Sequence, residues 1–318
     1  MIIPIFFSVD DSYVPYLSVA LTSLLENASP LHEYHIHILH QGVSPENQRR
    51  ILALSRSNSK IEFNTIDWAL ESIRPDCSGN ELASLQIFTL TIFFRIFIPE
   101  IFRGYDKGIY LDSDICVPGD ISKLFLTDLG GKLIGACSDS SISGVKPITD
   151  YTVEAVGVDR KEDYINSGVL LMDMRRLREL HFAERFLYLN AKYNFDSIAP
   201  DQDYINAMCK GRIHYLDPVW DAMPNDSLPP LEHPAIIHYN LFEKPWAKDD
   251  VQYGEYFWHY ARNSEYYAQI VEVKNSLTAS DLEMAGARFS RMTERAVQIS
   301  RSEGRFSDIF GSGAEHRL

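Results

Sequence analysis

The stretch Gly108-Ile109-Tyr110-Leu111-Asp112-Ser113-Asp114 decides both the fold and the chemistry that the sequence predicts. Its apolar run predicts a buried strand, and two carboxylates follow at the strand's end. Because positions i and i+2 of a strand share a side, Asp112 and Asp114 point to the same place. Such a pair suits Mg²⁺ or Mn²⁺, which proteins usually bind together with phosphate oxygens of a substrate. Acidic triplets are also common in solvated turns, so the surrounding sequence has to decide between the two interpretations.

Composition indicates a globular, acidic protein. The 318 residues are 45% hydrophobic and 12% aromatic, enough for one large domain or one domain with an appendage. The formal net charge of −14 argues against a general nucleic-acid binder and against electrostatic adsorption to anionic lipid. Four scattered cysteines, Cys77, Cys116, Cys137 and Cys209, make neither a disulfide framework nor a CxxC zinc motif, which fits a reducing cytoplasm.

The sequence favours a soluble, cytoplasmic protein with at most peripheral membrane contact. Residues 1–7 lack the basic start of a secretory signal and are interpreted as the first buried strand. No apolar stretch approaches the roughly 20 residues needed to span a bilayer. The arginine-bearing segment Met284 to Arg305 also carries glutamates and serines, so a solvated helix, open to self-association, is preferred over a membrane-binding one.

Strand and helix patterns alternate through the first half of the chain. This β-α-β order predicts an α/β fold with a mainly parallel sheet and helices on both faces, in which ligands lie beyond the carboxyl ends of the strands. Asp10-Asp11 and the acidic triplet both follow strands, so we expect them to share one crevice. The predicted strands are Ile2 to Val9, Tyr34 to His40 and Lys60 to Ile66, and the predicted helices are Tyr13 to Asn27 and Pro45 to Ser57.

The second half continues the alternation and ends in helical sequence. A loop near the site is expected at Ser138 to Thr149 because the stretch contains Ser, Gly and Pro. Residues 1–275 are interpreted as the catalytic domain and 276–318 as a looser helical appendage. Helices are predicted at Phe88 to Phe97, Phe182 to Lys192 and Gln202 to Lys210, and strands at Lys132 to Cys137, Ile165 to Met172 and Ala235 to His238.

Five separated motifs, in this order and spacing, closely resemble glycosyltransferase family 8, particularly the bacterial enzymes that add galactose or glucose to lipopolysaccharide. The resemblance covers Ile3 to Trp246 and implies a GT-A nucleotide-diphospho-sugar transferase fold, a UDP-sugar donor, Mn²⁺ and transfer with retention of anomeric configuration. The motifs are Phe7 to Tyr13, Leu111 to Ile115, Asn166 to Leu171, Asp201-Gln202-Asp203, and His238-Tyr239 with Lys244-Pro245-Trp246.

The first motif is interpreted as the seat of the nucleotide. A turn from strand to helix offers backbone N–H groups, and an aspartate can accept from uracil or ribose. The resemblance places Asp10 and Ser12 on uridine and counts Ser8 in the same donor-binding set. Tyr13 stacks on the base or is simply a helix residue. Asp10 or Asp11 could instead cap the helix that follows.

The resemblance makes His238 the third metal ligand beside Asp112 and Asp114, although a lone histidine there is more often a structural hydrogen-bonder. One imidazole beside two carboxylates favours Mn²⁺, with Mg²⁺ left open. Lys244 matches a lysine on the donor phosphates, against the alternative of a solvated surface lysine. The chain departs from the family at Leu241, where a small residue or glycine is common.

The resemblance also supplies residues for the donor sugar. Arg95 matches an arginine at the sugar or diphosphate, and its buried charge needs a partner, for which Asp139 is the candidate. Asp139 also matches a position that contacts the sugar, while a purely structural ion pair remains the alternative. Asn166 and Gln202 supply amides and Asp201 a carboxylate around the sugar, although Asn166 could cap its strand and Asp201 its helix.

Retention permits a covalent intermediate or front-face attack. The family position of the nucleophile holds Gln202, a poor nucleophile, so front-face attack is favoured, with Gln202 supporting an oxocarbenium-like state. Asp201 then binds sugar hydroxyls or orients the acceptor. Asp112 and Ser113 are counted with the donor-binding residues. The acceptor is expected to be a glycan or a lipid-linked glycan, which the sequence does not identify further.

Three alternatives remain beside the transferase. A nucleotidyl- or phosphotransferase should carry a GxxxxGK[ST] phosphate loop, and the sequence has none. A glycogenin-like self-glucosylating protein needs an acceptor tyrosine, and the 17 tyrosines do not decide this. A non-catalytic sugar-nucleotide-binding or partner-binding module would not need both metal carboxylates together with His238 and Lys244.

Overall fold

The computed structural model describes residues 1–65, 90–312 and 317–318. In these residues a seven-stranded sheet forms the centre of the molecule, with strand order β3-β2-β1-β4-β7-β6-β8. Its strands are β1 (Ile2–Val9), β2 (Glu33–His40), β3 (Ser59–Thr65), β4 (Lys107–Leu111), β6 (Ile134–Ala136), β7 (Val169–Asp173) and β8 (Ile213–Tyr215).

Strand β7 runs against the other six strands of the sheet. Strands β1 to β4 pair in parallel, β7 pairs antiparallel with both β4 and β6, and β6 pairs in parallel with β8. The start of β7 therefore lies at the carboxyl end of β4, where the Asp112 N–H donates to the Gly168 carbonyl at 2.8 Å. The predicted mainly parallel, mixed sheet is confirmed, and its one reversed strand brings Asn166-Ser167-Gly168 beside the acidic triplet.

A second, two-stranded sheet lies directly after that triplet. Strand β5 (Ile115–Cys116) pairs antiparallel with β9 (Ile237–His238), with Ile115 opposite His238. The strand predicted at Ala235 to His238 is thus shorter and joins β5 instead of the central sheet. Because β5 follows the triplet without a break, this pairing carries His238 to the two carboxylates.

Helices cover both faces of the sheet, as predicted. Side chains alternate along β1, so Phe6 enters one buried cluster and Phe7 the other. The helices are α1 (Val14–Asn27), α2 (Pro45–Leu52), α3 (Phe94–Ile101), α4 (Ile121–Phe125), α5 (Lys146–Tyr151), α6 (Met174–Glu179), α7 (Phe182–Tyr193), α8 (Pro200–Met208), α9 (Gly254–Ala261), α10 (Tyr267–Ser276), α11 (Ala279–Ser300) and α12 (Phe306–Ser312).

Several predicted segments differ in extent from the structure. The strands predicted at Lys132 to Cys137 and Ile165 to Met172 are Ile134–Ala136 and Val169–Asp173, and the helix predicted at Gln202 to Lys210 is Pro200–Met208. Helix α2 ends at Leu52 and not at Ser57, because the polar run that follows it favours turns. The stretch predicted as a loop, 138–149, contains a 3₁₀ turn and the start of α5, which has proline in its first turn. The helix predicted from Phe88 is described only from Leu90, because residues 66–89 lie outside the described part of the chain.

The C-terminal helices pack on the sheet domain. Helix α11 begins with a capping box formed by Thr278 and Asp281, and its buried Met292 and Ile299 join the same cluster as α7 and α8. The segment predicted as a solvated helix therefore buries one face, while the predicted boundary at residue 275 stays a prediction. No helix in the described ranges is both long enough and apolar enough to cross a membrane.

Candidate active site

A cavity of about 600 Å³ opens at the carboxyl end of the parallel strands. Every residue predicted for the site lines it, although the residues come from β1 and the turn after it, from α3, α8 and β9, and from the connections after β4, β6 and β9. The structure therefore brings the predicted residues together, and their individual roles stay predictions. They are Ser8, Asp10, Ser12, Tyr13, Arg95, Asp112, Ser113, Asp114, Asp139, Asn166, Asp201, Gln202, His238 and Lys244.

Asp112, Asp114 and His238 form a cluster whose ligand atoms all lie within 4.8 Å of one another. The His238 Nε2 atom is 3.7 Å from Asp112 Oδ2 and 3.4 Å from Asp114 Oδ1. Gly168 makes this approach possible, because a Cβ at that position would lie 2.2 Å from His238 Cε1 and 2.7 Å from Asp112 Oδ2. Two carboxylates and one imidazole are a donor set that fits a divalent cation.

Asp221 orients the imidazole, and sequence reasoning missed it. Its Oδ1 lies 3.1 Å from His238 Nδ1, and burial raises the pKa of this carboxyl to about 6. Its Oδ2 has no hydrogen-bond partner in the described part of the chain. A carboxylate that accepts from one ring nitrogen directs the other nitrogen to a metal. No motif marks Asp221, which reaches the site through the bridge between Ala222 and Ile237.

The charges around the cluster favour a bound cation. Burial opposes protonation of His238, yet hydrogen bonds to Asp114 and Asp221 raise the pKa of its imidazole to about 10. Burial would raise the pKa of Asp114, but the charges of Lys244 and His238 lower it. Lys244 Nζ contacts Asp114 Oδ2 and the carbonyl of Tyr239. The site therefore attracts positive charge strongly.

Arg95 is paired with other carboxylates than the one predicted. Its guanidinium lies 3.0 Å from Asp112 Oδ1 and 3.0 Å from Asp201 Oδ2, and it donates to the Ser167 carbonyl at 2.6 Å. The prediction that Asp139 balances Arg95 is wrong. Helix α3 places Arg95 between the end of β4 and the first turn of α8, while Asp139 accepts hydrogen bonds from neutral amides.

Asp139 and two amides form a fixed network at the same wall. Asp139 Oδ2 accepts from Asn166 Nδ2 at 3.1 Å and from Gln202 Nε2 at 2.9 Å. The side-chain oxygen Oε1 of Gln202 accepts from the Ser167 N–H at 2.9 Å, and the side-chain oxygen Oδ1 of Asn166 accepts from the Gly168 N–H at 2.8 Å. Asn166 thus caps the backbone just before β7, as the capping alternative predicted, and it also lines the cavity.

Asp203, two positions after Asp201, has a structural role. It is fully buried and accepts hydrogen bonds from the hydroxyls of Tyr151, Tyr164 and Ser197 at 2.5–2.6 Å. Burial raises the pKa of Asp203 to about 6, although these hydroxyl donors lower it. The Asp203 carboxylate also accepts from the Ala199 N–H at the start of α8, whereas the capping alternative for Asp201 is wrong, because Ala199 occupies the N-cap position.

The turn after β1 has the geometry of a capped helix entry. Asp10 Oδ1 accepts from the Ser12 N–H at 2.9 Å, the Ser12 hydroxyl at 2.5 Å and the Tyr13 N–H at 3.1 Å. Asp11 turns away and accepts from the Ser44 N–H at 2.9 Å, which lowers its pKa. Asp10 therefore caps the turn, as the alternative proposed, while it also lines the cavity.

The segment that follows His238 departs from ideal backbone geometry. Leu241 has φ of +48°, a left-handed conformation that glycine adopts without strain. The resemblance implies a small residue or glycine here, and the positive φ gives a physical reason for that expectation. Trp246 packs beneath the segment, with its ring stacked on Tyr16 at 3.9 Å. Asn240 also lines the cavity and donates to the Ser141 hydroxyl at 2.9 Å, a contact that no sequence pattern indicated.

Comparison with known proteins identifies the family. The model of glycosyl transferase family 8 matches residues 4–250, which is more than half of the chain. The chain belongs to this family. The family 8 match contains every predicted site residue, from Ser8 to Lys244.

Two curated relatives and one solved structure show which proteins this family 8 chain is similar to. It is 25% identical over 272 residues to General stress protein A of Bacillus subtilis, covering 79% of this chain and 90% of that one. It is 23% identical to the lipopolysaccharide 1,2-glucosyltransferase of Escherichia coli, covering 76% and 72%. The galactosyltransferase LgtC, solved with donor and acceptor sugar analogues, superposes with a TM-score of 0.64 and 26% identity over 89% of this chain and 99% of LgtC. The expected GT-A fold is thereby confirmed.

Proposed function

We propose that this chain is a retaining, metal-dependent hexosyltransferase that moves galactose or glucose from a UDP-sugar to a glycan or lipid-linked acceptor in lipopolysaccharide or other surface-polysaccharide synthesis. The observation that supports this most is the meeting of Asp112, Asp114 and His238 at one cavity. Their donor atoms favour Mn²⁺, with Mg²⁺ as the second choice. The four scattered cysteines support a cytoplasmic location, with membrane contact at most peripheral.

The proposed donor lies along the cavity from the turn after β1 to the start of α8. Asp10 and Ser12 bind the uridine, with Tyr13 beside the base. Arg95 and Asp139 serve the sugar end, where Asn166 and Gln202 hold their amides in place by hydrogen bonds to Asp139 and β7. This order follows the family motifs along the sequence and agrees with one continuous cavity.

Breaking the bond to the anomeric carbon leaves negative charge on the diphosphate. A divalent ion at the cluster would neutralise much of that charge. Lys244 supplies a further positive charge from a position fixed by Asp114 and the Tyr239 carbonyl. Charge placed in advance lowers the barrier because no reorganisation is needed during the reaction.

Hydrogen bonding favours front-face attack over a covalent intermediate. Asp201 is buried, is paired with Arg95 at 3.0 Å and accepts from the Ser167 hydroxyl at 3.1 Å. A carboxylate held in this way is poorly placed to leave its partners and attack carbon. Gln202 lies beside it with a neutral amide, which supports an oxocarbenium-like state by its dipole. A glycosyl adduct trapped on Asp201 and detected by mass spectrometry would contradict this route.

Donor hydrolysis tests the proposal without knowledge of the acceptor. The full chain is incubated with UDP-galactose or UDP-glucose and Mn²⁺, and released UDP is measured. We expect hydrolysis of at least one donor, and a loss of about 100-fold or more in Asp112→Asn, because a metal ligand stabilises the transition state by several kcal/mol. Asp226→Asn is the control, since Asp226 is exposed and lies outside the cavity. Near-normal turnover by Asp112→Asn would refute the metal role.

The same incubation separates transfer from self-glucosylation. An increase in intact mass by whole hexose units after incubation with UDP-glucose would favour the glycogenin-like alternative. Unchanged mass together with released UDP supports a transferase that acts on a separate acceptor.

A further inference from the structure

Helix α11 forms a wall of the cavity that none of the family motifs covers. Ala285, Arg288 and Met292 line the cavity from one face of the helix, at spacings of three and four residues. Met292 is buried in the core, and Phe289 packs edge-on against Phe242 with ring centroids 5.8 Å apart. Arg288 is therefore carried by a helix that is fixed against both the core and the segment after His238.

Arg288 differs from the other cavity cations in its charge balance. Arg95 is paired with two carboxylates, and Lys244 is paired with Asp114. Arg288 is half-buried, and in the described ranges no carboxylate lies within ion-pair distance of its guanidinium. The chain has a formal net charge of −14, so carboxylates are abundant, yet none of those in the described ranges pairs with this arginine.

A half-buried arginine with no ion-pair partner among the described residues favours an anion brought by the ligand. Its planar donors match a phosphate or a carboxylate in a two-point contact. Apolar side chains line the cavity on this side, since Met292 of α11 and Ile148 of α5, a helix in contact with α11, both belong to its lining. Such a wall fits the apolar face that the C–H groups of a sugar ring form, on a sugar that bears one anionic substituent.

The proposed donor contacts lie on other elements. Uridine is assigned to the turn after β1, the diphosphate to the end of β4 and the segment after β9, and the hexose to α8 and the start of β7. Helix α11 contributes to none of these, so the part of the cavity that it lines remains for the second substrate.

We propose that Arg288 binds a phosphate or carboxylate carried by the acceptor, so that the acceptor is an anionic glycan. This inference rests on the proposed transferase function and names the class of its second substrate.

Binding of matched neutral and anionic sugars tests it. Titration calorimetry measures galactose, galactose 6-phosphate and galacturonate binding to the full chain saturated with UDP and Mn²⁺. We expect the wild-type chain to bind at least one anionic sugar about tenfold or more tightly than galactose, as a charge-assisted contact provides. Arg288→Gln should remove this preference and Arg288→Lys should keep part of it. Arg291→Gln should leave it intact, since Arg291 is exposed on the same helix and lies outside the cavity.

Donor hydrolysis measured on the same samples distinguishes the sources of the anion. We expect Arg288→Gln to hydrolyse both UDP-galactose and UDP-galacturonate at the rates found for the wild-type chain. A selective loss on UDP-galacturonate, or an equal loss on both donors, would assign Arg288 to the donor and overturn the inference. The inference would also be overturned if the wild-type chain bound the anionic sugars no more tightly than galactose, or if it bound none of the three sugars measurably. A wild-type chain that neither binds UDP nor hydrolyses a donor instead refutes the proposed function itself.

Discussion

Replacing Gly168 by alanine tests whether close approach at the start of β7 builds the cation site. The added Cβ would lie 2.2 Å from His238 Cε1 and 2.7 Å from Asp112 Oδ2. Both atoms belong to proposed metal ligands. The backbone of residue 168, just before β7, cannot move away freely because its carbonyl accepts from the Asp112 N–H. The imidazole is the group that has to move, and it would break its contact with Asp221 as it does so.

The size of the effect follows from the distances. Ordinary contact begins near 3.4 Å, so His238 has to retreat by about 1.2 Å. Disturbing the orientation of a metal ligand typically costs about 10- to 100-fold in metal affinity, and a displacement of more than about 1 Å belongs at the upper end. We therefore expect Mn²⁺ binding to weaken about 100-fold, which corresponds to about 2.7 kcal/mol. Overpacking should also lower the free energy of unfolding by about 1–3 kcal/mol.

Gly135→Ala provides the matched control. Its Cβ would lie 2.9 Å from Leu129 Cδ2 in the core, so it imposes overpacking without touching the cavity. Titration calorimetry with Mn²⁺ and thermal unfolding are measured for both variants. Both should unfold at lower temperature, and only Gly168→Ala should lose Mn²⁺ affinity. If Gly168→Ala binds Mn²⁺ as tightly as the wild-type chain, or if Gly135→Ala loses affinity equally, the steric argument is refuted.

Three further predictions follow from the same contacts. Asp221→Asn should weaken Mn²⁺ binding about 10- to 100-fold, because the carboxylate orients His238; calorimetry that shows unchanged affinity would contradict this. The free energy of unfolding should be about 1 kcal/mol higher for Leu241→Gly than for Leu241→Ala, because only glycine adopts the φ of +48° without strain. Thermal melts that show equal stability of the two variants would exclude the strain. Burial raises the pKa of Asp203 to about 6 from 3.8, so the folded chain holds a proton there that the unfolded chain releases. The free energy of unfolding should therefore fall as the pH rises from about 4 to 6. Urea titrations across this range should show a smaller fall for Asp203→Asn.

Most of the architecture was accessible from the sequence because strands and helices leave local periodic patterns. Strand β1 has the predicted bounds, Ile2–Val9, since both its faces are buried and its residues are almost all apolar. The prediction that Asp10 and the acidic triplet share a crevice needed only the rule that parallel strands end at one edge. The cavity indeed contains both.

Charge pairing was less accessible. Asp139 was the predicted partner of Arg95, but Asp112 and Asp201 hold it. The error arises because the choice among carboxylates depends on distances of a few ångströms between elements far apart in the chain. Asp221 was missed for the same reason, since no spacing rule links it to His238.

The sequence by itself determined the alternation of strands and helices, the acidic triplet and the order of motifs that places the chain in its family. These features are local or ordered along the chain, so they survive without coordinates. Only the tertiary structure decided that β7 runs backwards, that β5 pairs with β9 to bring His238 to Asp112 and Asp114, and that α11 lays Arg288 against the cavity. Each of these depends on how distant segments pack, and packing leaves no pattern in a single sequence.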